Sequence, residues 1–215
     1  VNFPASTGKP VIPVPDGYYI TTEVHDSYIE AGKLPAGLVA EVIRAKNILG
    51  GKIAIRSVAN CEDDIRLSMA GVFQSRYVYS DSDISDAVEE IFKQSQSKEV
   101  EQFMAIHSKS AQDVKMGLVI QELIVPEAAG VIYTGVNGDN ILVQYIDDFG
   151  ASLVDGETQG SAMLVGTDSA ILESSGFETR PLSTSAVQQL VHHSRIIENL
   201  FPGTTIIQFD KTTAK

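Results

Sequence analysis

Ile55-Arg56-Ser57-Val58-Ala59-Asn60-Cys61-Glu62-Asp63, followed four residues later by Ser68-Met69-Ala70-Gly71, is the stretch on which the reading of this chain turns. Lys52-Ile53-Ala54-Ile55-Arg56 reads as a short strand, and the polar run from Ser57 to Asp64 reads as the loop that follows it. A cation therefore stands at a strand end. Small residues after it let the backbone approach a ligand, Arg56 can hold a phosphate through paired N–H donors, and Glu62 with Asp63 can order the loop or the arginine. Read by itself, an arginine followed by an acidic pair is more often a surface ion pair, so the rest of the chain must decide.

Upstream, apolar Leu38, Val39, Val42, Ile43, Ala45 and Leu49 recur at helical spacing until Gly50-Gly51 stops them. Before that helix, Tyr18 to Thr21 is strand-prone and Thr22 is expected to cap a helix ending near Gly32. Residues 1 to 16 hold four of the eight prolines and read as an extended arm. Downstream, Phe73 to Tyr79 alternates like a strand, Asp83 is expected to cap a helix carrying Ile84, Ala87, Val88, Ile91 and Phe92, and a further helix covers 98 to 107. From Lys115 the pattern turns to β-branched runs at 116–124, 130–134, 140–145 and 161–165. Ser185 with Gln188 is expected to form a capping box for one more helix, with a closing strand over 204–209. The expected fold class is α+β, with a helix-rich first lobe over residues 1–113 and a sheet-rich second lobe over 114–215 around a ligand cleft.

The bulk properties narrow the function. At 215 residues and 43% hydrophobic composition the chain can form a substantial core. Its formal charge of -12, from 28 acidic against 16 basic residues, disfavours nucleic acid and anionic membranes as partners, so any phosphate site must be built locally from a few cations, backbone N–H groups or a divalent metal. Cys61 is the only cysteine, which rules out an intrachain disulfide and suits a reducing cytoplasm; it reads as a small buried hydrophobe. His25, His107, His192 and His193 read as ordinary helix residues. No apolar run reaches the length of a membrane span.

The opening stretch resembles the Arg-Ser-Ser-Ala-x-x-Glu-Asp, four residues, Ser-Phe-Ala-Gly signature of the ATP-binding domain of phosphoenolpyruvate synthase and pyruvate phosphate dikinase. Val14-Pro15-Asp16-Gly17-Tyr18-Tyr19-Ile20-Thr21-Thr22 is similar to that family's Val-Pro-x-Gly-Phe-x-Ile-Thr-Thr element. Leu118-Val119-Ile120-Gln121-Glu122-Leu123-Ile124 resembles its Val-Val-Val-Gln-x-Met-Val strand, and Pro126 to Thr134 stands where it has Pro-Glu-x-Ser-Gly-Val-Leu-Phe-Thr. Four elements in the family's order are far more specific than any one of them.

The resemblance implies an ATP-grasp fold with ATP between two lobes, handled by cations and Mg2+. By matched position Arg56 is the phosphate contact and the candidate catalytic residue, Glu62 and Asp63 shape the phosphate-side loop, and the backbone around Gln121, Leu123 and Ile124 pairs with the adenine edge. Arg56 is expected to face the Gln121 strand across the crevice. Gly130 and Thr134 lie on the adjoining strand, Gly130 being a candidate ligand contact or a packing glycine. The metal-binding Asp-Ile-Glu-Trp element aligns with Ile206-Ile207-Gln208-Phe209, so Gln208 stands for the acid and Asp210, two residues on, is the alternative ligand. The Glu of Gly-Leu-Gly-Glu aligns with Ala151. Neither a Gly-Gly-Lys-Gly helix well before Val14 nor a closing Gln-x-Arg-Pro strand has a counterpart, and the second lobe is expected to be truncated. The family's phosphate acceptor is a histidine on a carrier domain, followed by a pyruvate-binding domain; both are expected in the same or another chain. The alternative from the same residues is a non-catalytic, nucleotide-sensing or interaction module with a degenerate site; an ATP-grasp ligase acting on a carboxylate is a third.

Overall fold

The computed structural model describes residues 12–61, 73–150, 153, 158–176, 182–201 and 206–211. It divides into two compact units, Val1–Leu123 and Ile124–Lys215. The division falls ten residues later than the 113/114 boundary expected from composition. The reason is the strand Met116–Glu122, which the pattern change at Lys115 assigned to the second lobe: it lies in the middle of the first unit's sheet.

In the first unit, β1 (Gly17–Ile20), α1 (Thr22–Ala31), α2 (Leu38–Ile48), β2 (Ile53–Ala59), β3 (Arg76–Val78), α3 (Ile84–Gln94), α4 (Lys98–Ile106) and β4 (Met116–Glu122) follow one another along the chain. The sheet has the order β1-β4-β2-β3 with every neighbouring pair antiparallel. Strand alternation sends Ile53, Ile55, Met116, Leu118 and Ile120 to one face, where they are buried in a core with Val42 of α2 and Val88, Ile91 and Phe92 of α3. Gly50 and Gly51, at φ 90° and 87°, end α2 in a backbone conformation that costs other residues energy.

Local readings gave way at several ends. β2 continues through Ser57, Val58 and Ala59 instead of ending at Arg56, because the register to β4 runs on to Ala59 opposite Met116. The strand expected over 73–79 shortens to Arg76–Val78. Asp83 does not cap α3 with its side chain; a 3-10 turn, Asp81–Asp83, leads into the helix, and Ser80 caps that turn. Thr21, not Thr22, stands at the N-cap of α1.

The second unit holds β5 (Ala128–Val136), β6 (Asn140–Ile146), β7 (Ser161–Val165), β8 (Ile171–Ser175), α5 (Thr184–Leu200) and β9 (Ile206–Lys211), with antiparallel sheet order β8-β7-β6-β5-β9. Ala186, Val187 and Val191 of α5 bury Ile132, Ile141, Val143, Met163 and Val165 on one face. The cap of α5 is Ser183, whose Oγ accepts from the Ala186 N–H at 3.2 Å, so the box expected at Ser185 sits two residues too late. No helix among the described residues is long and apolar enough to cross a membrane.

Candidate functional site

The face of the first sheet turned away from the core carries Arg56 and Gln121. Ala54, Arg56 and Val58 of β2 alternate with the core isoleucines, and the antiparallel register sets Ala54 beside Gln121 and Arg56 beside Val119 of β4. Gly17 and Tyr19 of β1 lie next to Gln121 and Val119 on the far side, and Tyr77 of β3 lies next to Ala54. Side chains paired across an antiparallel ladder share a face, so these residues form one surface. Arg56 Nε donates to Gln121 Oε1 at 3.2 Å. Gln121 is diagonal to Arg56, so the guanidinium leans back along β2 over the small Ala54 rather than off the strand's end.

This arrangement differs from a crevice with Arg56 on one wall and the Gln121 strand on the other. Both residues belong to the first unit and are neighbours in one sheet. The spacing between the two motifs could not show this, because strand pairing is a long-range property.

The partner of Arg56 is informative. Arg44, Lys46, Arg76, Lys93, Lys115, Arg195 and Lys211 each sit against a carboxylate. Arg56 sits against a neutral amide, and among the described residues no acid neutralises it. Among the described residues, Arg56 thus keeps a guanidinium without a counter-ion, the chemistry that favours an anion contact. Glu62 and Asp63, expected to order this arginine, lie outside the described residues, as do Ser68 to Gly71 and Ala151.

The adenine-side strand is more committed to the sheet than expected. The N–H of Glu122 donates to the Asp16 carbonyl at 2.9 Å, and that of Leu123 to the Lys52 carbonyl at 3.1 Å. The Leu123 N–H is thus engaged within the first unit.

In the second unit Gly130 lies on the face covered by α5, between Tyr145 of β6 and Phe209 of β9. A Cβ there would come within 2.1 Å of the Gln144 carbonyl oxygen and 2.8 Å of the Phe209 ring. Packing alone explains the glycine, and Phe209 fills the space above it. Gln208 and Asp210 alternate with Phe209 and share the opposite face, beside Val131 and Ala129. Both are exposed. Together they supply one carboxylate and one amide oxygen, and among the described residues no group of three His, Cys, Asp or Glu side chains could hold a metal. That donor set suits Mg2+ only where phosphate oxygens complete the shell.

The histidines are structural in placement. His25 of α1 is buried, with Nε2 2.9 Å from Ser95 Oγ and its ring edge-on to Phe92 at 5.2 Å, and burial holds its pKa below the ordinary imidazole value. His192 and His193 are adjacent on α5, and burial followed by the neighbouring His192 lowers the pKa of His193. Cys61 is buried.

Sequence reading overlooked Lys52. It stands two residues before Ala54 and four before Arg56, so strand alternation assigns it to the same face, and its Nζ lies 5.8 Å from the centroid of the Tyr79 ring. The period-2 spacing of Lys52 and Arg56 was the available signal.

Two antiparallel sheets, each with helices packed on its core face, make an α+β architecture of the ATP-grasp-like, nucleotide-binding kind. The family model for the pyruvate phosphate dikinase AMP/ATP-binding domain matches residues 26–195, more than half of the chain. The chain belongs to that family. The match includes the Arg56 and Gln121 motifs; the segments at 14–22 and 205–210 lie outside it. Among curated proteins, none matches the chain.

Proposed function

We propose that this chain binds ATP on the face of the first sheet turned away from its core, as the nucleotide-binding part of a dikinase-like phosphotransferase. In this reading a phosphoryl group passes from ATP to a ring nitrogen of a histidine on a carrier domain, its P–O bond to the departing nucleotide breaking as the P–N bond forms. A pyruvate-binding domain, in the same or another chain, would take it from there. The observation that carries the reading is the Arg56 guanidinium held by the neutral Gln121, within the span that matches the family. Phosphoryl transfer is mostly positioning and charge stabilisation, and an arginine held by an amide, with no carboxylate on it among the described residues, can offer two N–H donors to phosphate oxygens.

Mg2+ bound to the phosphates would neutralise charge as the phosphoryl group moves. Asp210 and Gln208 are the residues proposed to hold it, Asp210 through its carboxylate and Gln208 through its amide oxygen. Leu123 and Ile124 are proposed to border the base, and Glu62 and Asp63 the phosphates. The single buried cysteine suits a reducing, cytoplasmic setting. Gln208, a neutral residue where the family's element carries an acid, favours a second reading: a nucleotide-sensing or interaction module that binds but transfers nothing.

Calorimetry of the intact chain with ATP and Mg2+ tests the first part. Saturable binding is expected, weakened roughly 10- to 100-fold in Arg56→Met, because hydrogen bonds to charged groups contribute about 1.5 to 3 kcal/mol. Absence of binding at millimolar ATP by a folded chain rejects nucleotide binding. Single-turnover transfer of labelled γ-phosphate to a supplied carrier domain separates the two readings.

A further inference from the structure

The face of the first sheet turned away from its core carries a second cation, and its surroundings parallel those of Arg56. Lys52 has its ammonium over the Tyr79 ring at 5.8 Å, and among the described residues no carboxylate pairs with it. Most other described cations sit on an acid, as Lys46 does on Asp81 at 2.9 Å and Lys115 on Asp26 at 2.7 Å. Two cations at one face of the sheet, with no acid on either among the described residues, need a physical reason in a chain of net charge -12.

Their placement supplies one. Lys52 and Arg56 are separated by four residues, roughly 13 Å of strand. Arg56 does not extend away from Lys52, because its Nε bonds Gln121, which stands opposite Ala54, midway between the two cations. Ala54 and Gly17, the neighbours of Gln121 on either side, raise little or no side chain above the sheet. Arg56 leans toward β4 through Gln121 and the Lys52 ammonium leans toward the Tyr79 ring just past β3, so the two cations flank Ala54 on one face of the sheet from opposite sides of β2. The Tyr79 ring restrains the lysine without consuming its charge, as a carboxylate would.

Resting on the nucleotide reading above, we infer that Lys52 is a second phosphate contact of the same site, held in place by Tyr79, and that the Lys52–Arg56 pair selects nucleotides by phosphate number. A ligand with a triphosphate engages both cations, whereas a monophosphate engages one. Lys52 is a binding residue and Tyr79 a positioning residue.

The experiment is calorimetry of ATP, ADP and AMP against the full chain and the variants Lys52→Met, Lys52→Arg, Tyr79→Ala and Tyr79→Phe, at two salt concentrations. Lys52→Met is expected to lose about tenfold in ATP affinity, no more than twofold in AMP affinity, and part of the salt dependence of ATP binding. Lys52→Arg and Tyr79→Phe should keep most of the ATP affinity, and Tyr79→Ala should lose part of it. Both positions are exposed, and unchanged denaturation midpoints will separate loss of contact from loss of fold. If Lys52→Met binds ATP as the parent does while Arg56→Met does not, the Lys52 inference is wrong and the nucleotide reading stands. If ATP and AMP weaken equally in Lys52→Met, the selection by phosphate number is wrong. If the parent chain binds no nucleotide, both fall together.

Discussion

The two sheets of this chain are built alike and equipped differently. Each has one face that packs against the helices as its core, and an opposite face that carries different side chains. In the first unit the face away from the core carries Lys52, Arg56 and Gln121, two cations with no acid on them among the described residues and an amide that orients one of them. In the second it carries Gln208 and Asp210, a neutral amide and one carboxylate. Phosphate-binding chemistry is well provided in the first sheet, and metal-binding chemistry is thin in the second. A chain of this kind is expected to hold a nucleotide more firmly than it holds the metal needed to react it.

The largest expected effect breaks the first half of that comparison. Replacing Arg56 by methionine should lower ATP affinity roughly 10- to 100-fold, and Arg56→Lys should recover only part of it, since a single ammonium cannot reproduce the paired N–H geometry. The same substitution logic in the second sheet gives a different kind of loss. Gly130→Ala should cost about 1 to 3 kcal/mol or more of stability by chemical denaturation, because its Cβ would collide with the Gln144 carbonyl and the Phe209 ring. ATP affinity of the folded fraction should be unchanged. An affinity loss without a stability loss would return Gly130 to the ligand contacts.

Gln208→Glu sharpens the second half. Adding a carboxylate beside Asp210 should make ATP binding more dependent on Mg2+, by about tenfold in affinity when the metal is present. No gain would mean that the two residues do not meet the phosphates. The smallest expected effect concerns folding alone. Burial lowers the His25 pKa, so the folded state prefers the neutral ring and the unfolded state binds the proton first as pH falls. Stability from this group is whole above about pH 6.5, the ordinary imidazole value, and is lost as pH drops through the lowered folded value. Asp26 opposes the shift and Lys115 adds to it. Denaturation midpoints at pH 8 and pH 5 should differ less in His25→Gln than in the parent chain; an equal difference would exclude His25 as the source.

How much could be read beforehand follows from what each feature depends on. The helices α2, α3 and α5 and the strands β5 to β7 were legible because their apolar spacing is local and their stops, such as Gly50-Gly51, are strong. Strand β8 was not: Ile171-Leu172-Glu173-Ser174-Ser175 has no alternation, and the strand lies exposed at a sheet edge, held by pairing with β7 alone. The end of β2 was misjudged because Ser57 is polar, yet pairing with β4 carries the strand to Ala59. Arg56 and Gln121 were singled out by their motifs, but only the register β1-β4-β2-β3 makes them neighbours, and no local pattern encodes a register between segments 65 residues apart. Lys52 shares the alternation of Ala54 and Arg56 but lies outside the motif, and the Tyr79 ring that restrains it is brought alongside only by the pairing of β2 with β3.

The central claim is that nucleotide phosphates replace Gln121 as the partner of Arg56. The most direct measurement is an NMR titration of the nitrogen-15-labelled chain with ATP, following the Arg56 Nε–H and the side-chain amides of Gln121 and Gln208. The account predicts large, saturable shifts of the Arg56 and Gln121 signals at the lowest ATP concentrations, before Gln208 responds. If both remain unmoved when ATP has saturated the chain, the nucleotide lies elsewhere and the account is contradicted.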